Sequence, residues 1–280
     1  MKPIGIITGI DAELSKSYAR ENDIATFDFV INWDIYKKDA DIFKLMRKNS
    51  TFPKTSQPSV ASLVKLYEAN LKKYKDILII SVSSKFSGTY NACVQAKKTF
   101  SRMHRHRIHI IDSETSSGAE ALLVQKCIDL KKEGKNIDEI VNLLPKFAQK
   151  LSLIGVFDNT KWLVAGGRIS AIKGMVVKKM LATGVRPILT IRDGEIVVKK
   201  IQINAKNKAE ALFLEFSSEI KKDQNIDVVI SHADCKREAE KLKRQLEKFS
   251  KSIKIKYVHE VSQVLGCHLG PDTLLLSWAA

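Results

Sequence analysis

Apolar residues fall along the chain in two alternating rhythms. Short continuous runs such as Ile77-Leu78-Ile79-Ile80 read as strands buried on both faces. Val60, Leu63, Val64, Tyr67 and Leu71 instead recur at the spacing of one helix face. The pattern predicts strands over residues 4–8, 27–31, 77–82 and 108–111, and helices over 60–74, 89–100, 118–132 and 138–150. Strand and helix alternating in this way call for a mainly parallel sheet covered by helices. From residue 152 the grammar changes. A strand over 152–158 and a helix over 171–181 lead to two strands, 187–191 and 195–203, which flank the turn signal Arg192-Asp193-Gly194. Helices over 208–221 and 236–249 then alternate with strands over 227–231 and 253–258. The expected fold class is α/β: two closely packed domains, residues 1–151 with a mainly parallel sheet and 152–280 with a mixed one. Residues 32–60 are a candidate crossover between them. There is no internal repeat, low-complexity tract or flexible linker.

Two hydroxyl-rich segments stand ahead of predicted helices. Thr55-Ser56-Gln57-Pro58-Ser59 runs into the helix at Val60, and Ser84-Lys85-Phe86-Ser87-Gly88-Thr89-Tyr90 joins a strand to the next helix. A Ser or Thr there can cap free backbone N–H groups. The same N–H groups, with the helix dipole, can hold an anion instead. Taken together, the segments point to an anionic head-group site at the carboxyl edge of an α/β sheet, where ligands of such folds collect. Gly166-Gly167-Arg168-Ile169-Ser170 offers a sharp turn and a guanidinium fork, fit for a carboxylate, a phosphate or an interdomain salt bridge. His268, between Gly266 and Gly270, reads as a loop residue that either donates to an anion or lies satisfied at the surface.

Composition narrows the choices. The 280 residues are 44% hydrophobic and 28% charged, as in a soluble globular protein. No apolar stretch approaches membrane-spanning length, and the opening residues Met1–Thr8 read as a strand rather than a signal peptide. Cys93, Cys127, Cys235 and Cys267 are scattered, which fits a reduced, cytoplasmic setting. The net charge of +16 attracts polyanions without sequence preference. Its lysines, however, are spread through helices and no nucleic-acid motif accompanies them, so the expectation is a solvated surface with at most weak contact to anionic membranes. Phosphate-loop, dinucleotide, HExxH and GxSxG signatures are all absent, and no metal-ligand spacing occurs. Catalytic residues, metals and cofactors are therefore not expected.

Ile6-Ile7-Thr8, Thr55-Ser56-Gln57-Pro58, Ser84 to Tyr90, Ile111-Asp112-Ser113, Gly166 to Ser170 and His268-Leu269-Gly270-Pro271, in this order, resemble the DegV family of bacterial lipid-binding proteins. The matching pieces span almost the whole chain. The resemblance implies two α/β domains that hold one long-chain fatty acid, such as palmitate, in an interdomain tunnel. It implies that Thr55 and Ser87, each at a helix start and flanked by Ser56, Gly88 and Thr89, bind the carboxylate, with Arg168 and His268 adding positive or donor character. Phe86, Met175, Met180, Ile188 and Leu269 are the expected walls. It further implies a non-catalytic subunit that presents the acid to a separate ATP-dependent kinase, which makes the acyl phosphate. The chain departs from the family pattern at Gly9-Ile10, where Asp-Ser is usual, at Leu269 and Asp272 in the last motif, and at Gln202, near a position where relatives often carry Arg. A different class, an enzyme acting on a small phosphorylated or carboxylated substrate at the same site, predicts a polar, open cleft instead.

Overall fold

The computed structural model describes residues 1–37, 40–203 and 205–279. In chain order, β1 (Lys2–Gly9) leads through a 3-10 turn (Ile10–Ala12) to α1 (Lys16–Glu21), β2 (Ile24–Phe27) and β3 (Val30–Asn32). Next come α2 (Ile42–Lys48), β4 (Lys54–Ser56), α3 (Val60–Leu71), β5 (Tyr74–Ser81), α4 (Thr89–Lys98) and α5 (Arg102–Arg105). They are followed by β6 (Ile108–Asp112), α6 (Ser117–Lys132), α7 (Ile137–Ala148), β7 (Leu151–Val156), α8 (Lys161–Ala165) and α9 (Ala171–Ala182). The chain continues through β8 (Arg186–Arg192), β9 (Glu195–Gln202), α10 (Lys208–Glu219) and β10 (Ile226–His232). It ends with α11 (Lys236–Phe249), β11 (Ile253–Glu260), α12 (Gln263–Leu269) and β12 (Leu274–Ala279). Two compact units form: Met1–Val30 with Ser56–Leu151, and Ile31–Thr55 with Ser152–Ala280.

The first unit is built on a four-stranded sheet in the order β2-β1-β5-β6, with every pairing parallel. Ile77, Leu78, Ile79 and Ile80 are all fully buried because successive side chains of the central strand β5 face opposite helix layers. Ile77 and Ile79 pack with Leu63, Tyr67, Ala92 and Cys93 of α3 and α4. Leu78 and Ile80 pack with Leu123, Ile128, Ile140 and Leu144 of α6 and α7. Truncating any of these buried isoleucines or leucines to Ala costs about 2–5 kcal/mol at such a site. Helix α7 starts on a reciprocal cap: Asn136 accepts from the Glu139 N–H, and Glu139 accepts from that of Asn136. Strand order reverses between β1 and β5, which makes the loops after these strands a topological switch point.

The second unit carries a six-stranded sheet, β11-β10-β12-β7-β8-β9. It is mixed: β10 and β11 run parallel, while β10–β12, β7–β8 and β8–β9 are antiparallel. The hairpin turns at Asp193 and Gly194, both at positive φ (51° and 73°), the conformation that a two-residue hairpin loop requires. Phe216, Leu242, Leu276 and Trp278 form one core of this unit, and Phe43, Met46, Trp162 and Leu275 belong to another. The α/β class, with a parallel and a mixed sheet, is as predicted.

Details differ from the prediction. The strand expected over 27–31 is two: β2 ends at Phe27, and β3 pairs with β4 in a separate two-stranded ribbon. The helix expected to reach residue 74 stops at Leu71, since Tyr74, fully buried, already opens β5. Its spacing from Tyr67 and Leu71 imitates a further helical turn. Five short helices (α1, α2, α5, α8 and α12) and the strands β4 and β12 are not among the predicted elements. Among the described residues no helix is long and apolar enough to cross a membrane.

Candidate functional site

In the first unit the loop after β5 leaves the carboxyl edge of the sheet at the switch point. It is tied down from inside: the Ser83 N–H donates to the Thr115 carbonyl at 2.9 Å, and the Ser84 N–H shares both oxygens of Asp112 at 3.2 Å. Phe86 and Ser87 N–H groups bond back to the Ser83 carbonyl at 3.0 and 3.2 Å. The result is a tight turn that delivers Gly88 as the N-cap of α4. No side chain caps this helix from its N-cap position. The Ser87 hydroxyl instead lies 2.7 Å from that of Thr89 and accepts from the Thr89 N–H at 3.3 Å. Hydroxyls and N–H groups thus gather at the positive end of a ten-residue helix. A Cβ on Gly88 would fall 1.9 Å from the Gln57 Oε1, so the glycine is needed for Gln57 to lie against this turn.

Helix α3 is the opposite case and corrects the expectation for Thr55. Its N-cap is Ser59, whose hydroxyl accepts from the Ser62 N–H at 3.1 Å. Thr55 and Ser56 lie on β4, ahead of that cap, and neither starts the helix. The cap role went to the hydroxyl immediately before the helix, because only that residue reaches the N–H three positions on.

Thr55 has another partner, within the second unit. Its Oγ1 lies 2.7 Å from the Nε2 of His268. His268 is not in a loop: it sits in the last turn of α12, which Gly270 terminates at φ 78°. The imidazole is only 8% exposed, and a Cβ on Gly166 would come within 2.5 Å of its Nδ1. Burial, with the nearby Arg168 charge second, pushes its pKa down to about 3. His268 is therefore neutral at physiological pH and supplies no positive charge, contrary to the expectation that it might. Its Nδ1 is buried without a hydrogen-bond partner among the described residues. A bare acceptor is less costly there than an orphaned N–H, which assigns the proton to Nε2. In that tautomer His268 donates to Thr55 and leaves the Thr55 hydroxyl proton free to donate elsewhere.

Arg168 follows the α8 terminus, where its N–H bonds the Leu163 carbonyl at 2.8 Å and its guanidinium donates to the Gly166 carbonyl. The side chain is half-buried, and burial lowers its pKa. None of the ion pairs among the described residues includes Arg168, so the salt-bridge alternative finds no partner among them. A half-buried guanidinium without a carboxylate is a place for an anion.

Trp162 was missed by sequence reasoning. Its indole occupies the space where a Gly270 side chain would stand, 1.9 Å from the built Cβ, and Phe52 meets it edge-on at 5.1 Å. It fixes the turn that ends the His268 helix. The structure thus gathers Thr55, Arg168 and His268 in one unit, and Ser87, Gly88 and Thr89 in the other. Of the expected apolar walls, Met175 is 58% exposed, whereas Ile188 is fully buried in the core with Phe216 and Trp278. Burial pushes the Cys267 thiol up to about 12, too high for a reactive thiolate. Among the described residues no cluster of His, Cys, Asp and Glu could hold a metal ion.

Known proteins resemble this chain over its full length. A fatty acid-binding protein of Thermotoga maritima is 26% identical over 283 residues, covering 97% of this chain and 96% of that one. Among solved structures, a DegV family protein from Thermus thermophilus, described for its fatty acid binding, superimposes with a TM-score of 0.88 at 19% identity, covering 99% of each chain. The fatty acid kinase B3 protein of Streptococcus pneumoniae, loaded with linoleic acid, does so with a TM-score of 0.83 at 20% identity, again over 99% of each. The last two establish the fold. Residues 3–280 match the model described as "uncharacterised protein, DegV family", and the chain belongs to that family.

Proposed function

We propose that this chain binds a long-chain fatty acid, with Thr55, Ser87 and Arg168 as donors to the carboxylate. His268 holds the Thr55 hydroxyl in place, Gly88 and Thr89 shape the turn around Ser87, and Ser56 flanks Thr55. The observation that carries the reading is Arg168, a half-buried cation with no ion pair among the described residues, set beside a neutral His268 bonded to Thr55. An interdomain tunnel for the acyl chain is part of the proposal, on the strength of the family. Burying the chain gains about 0.8 kcal/mol per CH₂, on the order of 10 kcal/mol for a long acid before ordering costs. The test is denaturing extraction of freshly purified protein followed by mass spectrometry. A fatty acid near one equivalent supports the proposal. Empty protein that takes up no added palmitate or oleate refutes it.

The same reading makes the chain the non-catalytic partner of an ATP-dependent kinase that phosphorylates the bound carboxylate. Support comes from its likeness to the pneumococcal kinase B3 protein and from the absence of a phosphate-binding loop in the sequence. Reconstitution with a candidate kinase from the source organism, ATP and fatty acid should give acyl phosphate only when both proteins are present. Tight lipid binding with no acyl phosphate in any pairing would leave a carrier role instead.

A further inference from the structure

The first unit buries three acidic side chains that the head-group reading leaves unused. β1 ends at Gly9, and the 3-10 turn behind it places Asp11 where a Gly9 side chain would stand, 2.0 Å from the built Cβ. Glu13 follows at φ 60°, and Glu120 comes from the first turn of α6. Their exposures are 5%, 5% and 0%. Among the described residues, Glu120 Oε1 takes only a long 3.5 Å hydrogen bond, from the Thr8 hydroxyl. Its Oε2 and the Oδ1 of Asp11 are both buried without a hydrogen-bond partner among the described residues. The titratable groups that face the pair are Glu13 after the turn, Asp112 at the end of β6 and the Cys93 thiol on α4. All are acids.

A carboxylate oxygen held away from water without a donor is costly, and a second one beside it is more so. A proton removes one charge and turns an unsatisfied oxygen into a donor. The neighbourhood joins this pair to the hydroxyl loop. β1 and β5 are adjacent and parallel, with Thr8 opposite Ile80, so the turn bearing Asp11 and the loop bearing Ser87 leave the same sheet edge side by side. Asp112, which faces Glu120, is the carboxylate that accepts the Ser84 N–H. Cys93, which faces Asp11, lies on the helix whose first residue is Thr89.

We propose that Asp11 and Glu120 form a proton-binding carboxyl pair that retains a proton at neutral pH, and that its ionisation weakens anion binding at the neighbouring Ser87 loop. The proton half stands on the burial of the pair; the ligand half rests on the fatty-acid reading. Burial, reinforced by Glu13, pushes Asp11 up to about 7, and burial with the Asp11 charge sends Glu120 well above its ordinary range. A carboxyl raised in the folded state stabilises least once ionised. The unfolded chain ionises first, near pH 4, so stability falls as pH climbs from there to the folded value.

The experiment follows urea unfolding of the full chain from pH 5 to 9 in the parent, Glu120→Gln and Asp11→Asn. Each proton retained by the fold raises the unfolding constant up to tenfold per pH unit. The expected result is a steeper rise between pH 5 and 7 in the parent than in either variant; coincident slopes overturn the pair. If a variant does not fold, infrared spectroscopy of the parent decides. A buried protonated-carboxyl band present at pH 6 and lost by pH 9 supports the pair, and its absence at pH 6 overturns it. Displacement of cis-parinaric acid over the same pH range tests the coupling. Affinity should weaken several-fold more from pH 6 to 8 in the parent than in Glu120→Gln, and parallel profiles overturn the coupling. No binding of the probe by any form refutes the fatty-acid reading instead, and the unfolding profiles still decide the proton pair.

Discussion

Replacing Arg168 by Gln separates a ligand-binding guanidinium from a structural one. In the empty protein the side chain contributes one hydrogen bond, to the Gly166 carbonyl, against the cost of partly desolvating a cation with no ion pair among the described residues. A neutral hydrogen bond of that kind contributes about 1 kcal/mol, and desolvation of the charge offsets much of it. Stability without lipid should therefore change by no more than about 0.5 kcal/mol, the range of an ordinary surface substitution. With a carboxylate bound the balance changes. A hydrogen bond between charged groups contributes roughly 1.5–3 kcal/mol, which at about 1.4 kcal/mol per tenfold predicts a Kd raised roughly 10- to 150-fold. The assay pairs fatty-acid titration of delipidated protein with urea unfolding of the same sample. Lys at this position keeps the charge but loses the planar fork, so its affinity should fall between Gln and parent. Affinity within twofold of the parent in Arg168→Gln refutes a guanidinium–carboxylate contact. A loss of more than about 2 kcal/mol of lipid-free stability with unchanged affinity would make Arg168 a structural residue instead.

Other outcomes follow from the same geometry. Ser59→Ala removes the cap of α3 and should lower stability by about 1 kcal/mol with fatty-acid affinity unchanged, as read by paired unfolding and titration. Thr55→Val, which leaves that cap intact, should weaken binding roughly tenfold or more; equal affinity would place the head group elsewhere. Gly270→Ala forces a side chain to φ 78° and into Trp162, and should cost at least about 2 kcal/mol in urea unfolding; a loss below about 0.5 kcal/mol would show that the indole has room to move. His268, with its folded pKa at about 3, stays neutral while the unfolded chain takes up a proton near pH 6.5. Its contribution to stability is complete above that pH and is lost as pH falls towards 3. Imidazole nitrogen NMR should show a neutral ring at pH 5, and a protonated one there refutes the assignment.

What the sequence discloses and what it withholds differ for physical reasons. The parallel strands were legible because Ile77 to Ile80 must be apolar on both faces, a demand that leaves an unbroken run. α2, α8 and α12 have seven, five and seven residues, too few turns for a period to show against the background. Thr55, Ser56 and Ser59 are three hydroxyls close before one helix, and chemistry alone does not choose the cap among them. Gly270-Pro271 is a helix stop signal, yet a glycine-flanked histidine reads equally well as a loop. The features that define the site lie at a different level. Thr55 meets His268 across 213 positions, and Thr8 meets Glu120 across 112. Whether Arg168 lacks a carboxylate depends on where each of the 31 acidic residues comes to rest. Asp158 is taken by Lys208, Asp234 and Asp272 by Arg47, and Asp112 by the Ser84 and Glu114 N–H groups. An unpaired charge is a property of the closed fold: among the described residues no ion pair reaches Arg168, which is why the proposed function gives it an acid from outside the chain.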